Sequence, residues 1–281
     1  MRIARLPHLA ALVGSGALLL AMTVPAAAAD DAMVRVLHGS PDAPSVDVFV
    51  DDGKVDALSG VEFGDLTRYV AVPAGTYAVK VCATADDTVC PIGPIDLTLE
   101  AGTRYTVAAS DLLAQIKADV FVDGNARSGT ARARVVHLSA DTPAVDVLTQ
   151  DGSATVVEGL AYPDATDYLN LDPGSYDLKV CAAADTSVCP LDPGALDLED
   201  GTAYSVFAIG SLEGGEGVES LTAVVGVDDR AAPATDAAPA GPASPAAEGP
   251  GSAWGLVMAV AGLIAIVVSG RVLARQEIRH R

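Results

Sequence analysis

Five polar residues in one short stretch could do chemistry: Arg35, His38, Ser40, Asp42 and Asp47, in RVLHGSPDAPSVDV. A histidine near carboxylates can move protons or hold a cation, and a serine beside it invites comparison with a hydrolase. The same residue types return 99 positions later as Arg134, His137, Ser139, Asp141 and Asp146, in RVVHLSADTPAVDV. Local structure argues against a nucleophile. Ser40 lies on or beside a strand close to His38, and no Gly-x-Ser-x-Gly elbow presents its hydroxyl, so the chain is read as no enzyme, with a hydrolase as a remote alternative. Two readings of the polar set stay open. In one, His38 with Asp42 or Asp47, and His137 with Asp141 or Asp146, line a ligand or cation pocket once per repeat. In the other, the serines and aspartates build turns while each histidine bonds a carboxylate or carbonyl at its strand end. Asp47, Asp51, Asp52 and Asp56 could hold calcium weakly, but only Asp47 and Asp52 recur, as Asp146 and Asp151, which favours a solvated face. No other cofactor is indicated, and the identity of any metal is left open.

The elements that must position these residues are also duplicated. Comparing Val34–Ala109 with Ala133–Ala208 without a gap gives 35 identities in 76 positions, a tandem duplication. Each copy alternates apolar and polar residues with a period of two: Val46, Val48 and Val50, then Tyr77, Val79 and Val81, then Tyr105 and Val107. Turn residues separate the runs, as at Pro41-Asp42, Asp52-Gly53, Ala74-Gly75 and Ala101-Gly102. Seven or eight such strands per copy predict an all-β fold of two antiparallel, immunoglobulin-like β-sandwich modules, over 33–124 and 132–229, with a small barrel as the competing shape. The second module carries a longer loop, Glu213–Gly217, before its last strand, and a short connection at 125–131 suggests modules lying end to end.

Cys82 and Cys90, like Cys181 and Cys189, stand eight apart around a polar loop that follows Lys-Val-Cys. In an exported chain this spacing reads as two local disulfides, each worth about 2–3 kcal/mol by loop closure. Zinc and a redox pair are the rivals; the first lacks knuckle spacing and the second the two-residue spacing.

The run His-x-Ser-x-Asp-x-Pro-x-Val-Asp-Val, followed by Tyr69-Val70-Ala71-Val72-Pro73-Ala74-Gly75-Thr76-Tyr77, resembles a bacterial exported domain family of unknown function that often occurs in tandem. The second module departs at Ala140 for Pro41 and at Asp172-Pro173-Gly174 for Pro73-Ala74-Gly75. The resemblance implies a β-sandwich and an extracytoplasmic setting, and no activity.

The ends carry addresses. Arg2 and Arg5, an apolar run from Leu9 to Met22 and Pro25-Ala26-Ala27-Ala28-Ala29 make residues 1–29 a secretory signal peptide. Residues 231–252 are rich in proline and alanine and read as a stalk reaching at most roughly 70 Å. Residues 253–270 hold no charge and are long enough to span a bilayer core, and the basic tail 271–281, with Arg271, Arg275, Arg279 and Arg281, stays cytoplasmic. The chain is therefore expected in the cell membrane, single-pass, with its modules outside. Its net charge of −20 argues against nucleic acid and anionic lipid surfaces as partners. The expected role is a non-catalytic surface protein that displays two binding or adhesion modules to an envelope component or extracellular ligand. The alternative is a structural envelope spacer without a discrete ligand.

Overall fold

The computed structural model describes residues 30–232. The expected signal peptide, transmembrane segment and tail, and all but the start of the stalk, lie outside the described residues. Among those described, no helix is long and apolar enough to cross a membrane.

The first module contains β1 (Ala32–His38), β2 (Val46–Val50), β3 (Gly53–Lys54), β4 (Val70–Val72), β5 (Gly75–Ala83), β6 (Ile92–Leu99), β7 (Arg104–Ser110) and β8 (Lys117–Asp123). The second repeats the plan with β9 (Ala131–His137), β10 (Val145–Thr149), β11 (Thr155–Leu160), β12 (Leu169–Leu171), β13 (Gly174–Ala182), β14 (Leu191–Leu198), β15 (Thr202–Ile209) and β16 (Thr222–Arg230). Each module is two four-stranded sheets: β4-β1-β7-β8 with β3-β2-β5-β6, and β12-β9-β15-β16 with β11-β10-β13-β14. The sheets are not purely antiparallel, as the alternation had suggested. β1 pairs in parallel with β7, and β9 with β15, because the chain crosses to the other sheet between these strands.

The period-two pattern explains the core of each module. Val36 of β1, Val48 of β2, Val79 and Val81 of β5 and Ala109 of β7 meet between the two sheets of the first module. Val145, Val147, Val180 and Ala208 do the same in the second. Each fully buried side chain of this size contributes about 1.5–3 kcal/mol.

The modules do not lie end to end. The opposite face of β1 and β7 carries Leu37 and Ala108, and these pack against Val136 of β9 and Phe207 and Ile209 of β15. The central strands β1 and β7, and β9 and β15, are thus buried on both faces, once against their own sandwich and once against the neighbouring module. The connection at 124–130 is tied down rather than free: Gly124 N–H donates to Tyr168 at 2.8 Å and Ala126 N–H to Asp229 at 2.9 Å. Both expected disulfides, Cys82–Cys90 and Cys181–Cys189, are formed, and no free cysteine remains.

Candidate functional site

Arg35 sits in the middle of β1, where alternation turns it away from its own sandwich and toward the second module. Its Nε donates to Thr106 on the adjacent β7 at 2.8 Å, and the Thr106 hydroxyl donates to Asp123 of β8 at 2.7 Å. The guanidinium then crosses the module boundary: Nη2 pairs with Asp228 of β16, and Nη1 donates to the Val227 carbonyl at 2.9 Å. Arg134 of β9 mirrors every step. Its Nε donates to Ser205 at 2.7 Å, Ser205 donates to Asp228 at 2.7 Å, Nη2 pairs with Asp123, and Nη1 donates to the Val122 carbonyl at 2.9 Å. Tyr69 donates to Asp123 and Tyr168 to Asp228, each at 2.6 Å, and each ring lies under an arginine, at 4.6 Å and 4.9 Å. Burial and the Asp228 charge push the Tyr168 hydroxyl up to about 12, so it stays a donor.

The charged centre of this network is desolvated, with Arg35 and Asp228 each 2 % exposed, while the two tyrosines are half-buried. A buried pair with complete hydrogen bonding fixes geometry more than it adds stability. Its chemistry is closed: every carboxylate oxygen is taken by an arginine or a hydroxyl. It therefore joins the modules and offers nothing to a substrate.

The histidines are equally enclosed. His38 is fully buried at the end of β1, and its Nε2 donates to the Pro44 carbonyl at 2.9 Å, pinning the turn at 39–45. His137 does the same with Pro143 at 3.3 Å, while its Nδ1 accepts the Ser139 N–H at 3.3 Å. Burial lowers both imidazoles below their ordinary 6.5, against the pull of the proline carbonyls, so both rings are neutral at pH 7. In the first module the His38 Nδ1 and Ser40 Oγ are buried without a partner. Ser139 instead bonds Thr142 at 2.6 Å and Asp141 at 3.1 Å, and Ala43 stands where Thr142 does.

The aspartates go elsewhere. Asp42 accepts the Leu113 N–H at 2.7 Å, and Asp141 accepts Ser211, Leu212 N–H and Glu213 N–H, so both anchor the loop after the seventh strand of their module. Asp47 lies on β2, in the other sheet. Burial opposes its charge, but Lys54 at 2.5 Å, Gly60 N–H at 2.7 Å and Thr84 at 3.1 Å hold its carboxyl below the usual range. Asp146 keeps only the equivalent bond, from Gly159 N–H at 2.7 Å. No hydrogen bond joins His38 to Asp42 or Asp47, or His137 to Asp141 or Asp146. Among the described residues, no group of three or more His, Cys, Asp or Glu could hold a metal ion.

Among the matched residues that reach solvent, one cluster lies in the disulfide loops, and it alone pairs an exposed aliphatic side chain with a covalent closure. Ala85, Asp86, Val89 and Pro91 recur as Ala184, Asp185, Val188 and Pro190, and all are exposed. Each loop is stiff. Asp86 accepts the Thr88 N–H and hydroxyl at 3.0 and 2.6 Å, Asp185 accepts the same pair from Ser187, and Val89 and Val188 are held 53 % exposed.

The residues that sequence reasoning missed are Asp123 and Asp228. The ungapped repeat comparison ended at Ala109 and Ala208, before the loop insertion. A comparison allowing a gap aligns Val120-Phe121-Val122-Asp123 with Val225-Gly226-Val227-Asp228 and would have found them.

A family model described as a domain of unknown function (DUF4397) matches this chain twice, over residues 32–148 and 131–239. No curated protein matches. Among solved structures, a candidate cell adhesion protein from Bacteroides ovatus aligns at 10 % identity over 73 % of this chain and 99 % of its own, with a TM-score of 0.21. A leucine-rich repeat protein from Bacteroides thetaiotaomicron aligns at 11 % identity over 73 % of this chain and 27 % of its own, with a TM-score of 0.18. Scores of that size do not establish a shared fold.

Proposed function

The chain belongs to the DUF4397 family, with the domain present twice, and from that premise we propose that it is a non-catalytic extracytoplasmic protein whose two modules form one rigid binding unit. The observation that carries the reading is the pair of disulfide-closed loops, one per module, that present the same exposed residues around Val89 and Val188. An exposed aliphatic side chain kept in both copies, in a loop that loses little entropy on binding, is the kind of group a partner surface buries. The enclosed histidines and serines support the non-catalytic part, since neither ring nitrogen nor hydroxyl is placed where a substrate could reach it. The immunoglobulin-like type and the single-pass membrane anchor belong to this reading. So does an envelope component or extracellular ligand as the partner, with basic partners favoured by the net charge of −20.

Co-sedimentation of the chain with isolated cell-envelope material, with and without calcium, tests it. Saturable pelleting is expected, and Val89→Asp with Val188→Asp should weaken it at least tenfold while the melting temperature holds. Unchanged pelleting of the double variant would remove the loops as the contact. No pelleting at all would leave the envelope spacer as the function.

A further inference from the structure

The two sandwiches are not packed equally well. Between the sheets of the second module lies a cavity of about 110 Å³, against about 60 Å³ at the same place in the first. Its walls are Val135 and Ala208 from the sheet facing the other module, and Val147, Val180 and Leu191 from the outer sheet. Tyr176 also lines it, but its hydroxyl is turned to the Asp172 carbonyl at 2.8 Å.

The sequence explains the difference. Ile95 packs onto the core of the first module, and Gly194 stands at its place in the second. Gly194 is exposed and a Cβ there would meet nothing within 4 Å, so no side chain covers this side of the core where Ile95 does in the first module. Val34 likewise becomes Ala133 on the cavity wall. Leucines at 169, 171 and 178, where the first module has valines, return less carbon than these two changes remove.

We propose that this cavity is a binding site for an uncharged hydrocarbon of about six carbons, an aromatic ring or the end of an alkyl chain, in the second module and not in the first. Water is a poor occupant, because a buried water needs two to four polar partners and these walls are almost wholly apolar. Cavities of this order lined by aliphatic side chains stay dry and take benzene or xenon. An apolar guest regains the dispersion contacts the walls forgo and desolvates no polar group. The way in runs past β14, where Asp192, Pro193, Gly194 and Ala195 are all exposed.

The test is a titration of the full chain, labelled at valine and leucine methyl groups, followed by NMR. One arm uses benzene; the other uses dihexanoylphosphatidylcholine below its micelle concentration. Saturable shifts are expected at Val147, Leu178 and Val180, with affinity at least tenfold weaker at Val48, Val79 and Val81. A response to benzene alone identifies a free small hydrocarbon as the guest, and a response to the lipid identifies the end of an acyl chain. Ala133→Val, which restores the residue of the first module, should weaken binding at least tenfold without lowering the melting temperature. Ala223→Val, on β16 of the same sheet and also on the cavity wall, replaces it if that variant does not fold. Shifts of equal affinity in both modules, shifts that never saturate, or none with either probe, would overturn the proposal.

Discussion

The two modules share a plan and differ in volume, and the difference is greatest where they touch. The polar part of their contact is symmetric: Arg35 with Asp228, and Arg134 with Asp123. The apolar part is not. Ala108 of the first module corresponds to Phe207 of the second, Leu66 to Ala165 and Gly39 to Leu138. Phe121, opposite Thr106, corresponds to Gly226, opposite Ser205. Large residues on one side thus meet small ones on the other. Gly226 shows how closely: a Cβ there would lie 2.4 Å from Leu66 Cδ2 and 2.8 Å from Arg35 Nη1. The paired charges set the register of the contact, and the unequal volumes make it a contact between unlike partners, as interdigitated cores require.

The symmetric part should break hardest. Asp228→Ala leaves Arg35 buried with only the Asp123 carboxylate, 4.0 Å away, as counter-charge, at a cost of about 3–5 kcal/mol, and Asp123→Ala should cost a similar amount through Arg134. Urea denaturation would check both, and unequal losses would show that the polar network is not symmetric in energy. The asymmetric part should break by volume. Gly226→Ala is expected to cost about 1–3 kcal/mol by overpacking. Leu66→Ala, which places in the first module the residue found at 165, should recover part of that loss in the double variant. Recovery measured by the same method marks direct coupling across the interface, and simple additivity would deny it.

The smallest expected effect separates the two histidines. Burial holds both folded-state values below the ordinary 6.5, so the unfolded chain takes up the extra protons first. Their stabilisation is full above 6.5 and is lost as pH falls through the depressed folded values. The slope is at most about 1.4 kcal/mol per pH unit for each ring. Protonating His137 must also break the bond from Ser139 N–H, whereas His38 Nδ1 has no such bond to lose. Urea midpoints between pH 5 and 8 should therefore flatten more in His137→Gln than in His38→Gln.

Much of this fold could be read from local pattern. The period-two alternation places Val48, Val79 and Val81 inside, and Cys82 and Cys90 pair because a local eight-residue spacing leaves them few other partners. The candidate site was harder. His38 and Asp47 are neighbours in sequence, but β1 and β2 belong to different sheets, and each side chain is consumed by its own loop. The parallel pairing of β1 with β7 could not be read either, since alternation reports which face is buried and not the direction of the neighbouring strand.

The sequence by itself determined that the chain is two copies of one all-β module, where the strands and turns fall, and which cysteines join. These are properties of short segments and of self-comparison. Only the tertiary structure decided that the outer face of β1 is a second core, that Arg35 answers to Asp228 across 193 residues, and that the core of the second module is left with a larger cavity than that of the first. A side chain's identity states what it can bond or exclude; which partner it meets depends on distances that exist only once both modules have folded against each other.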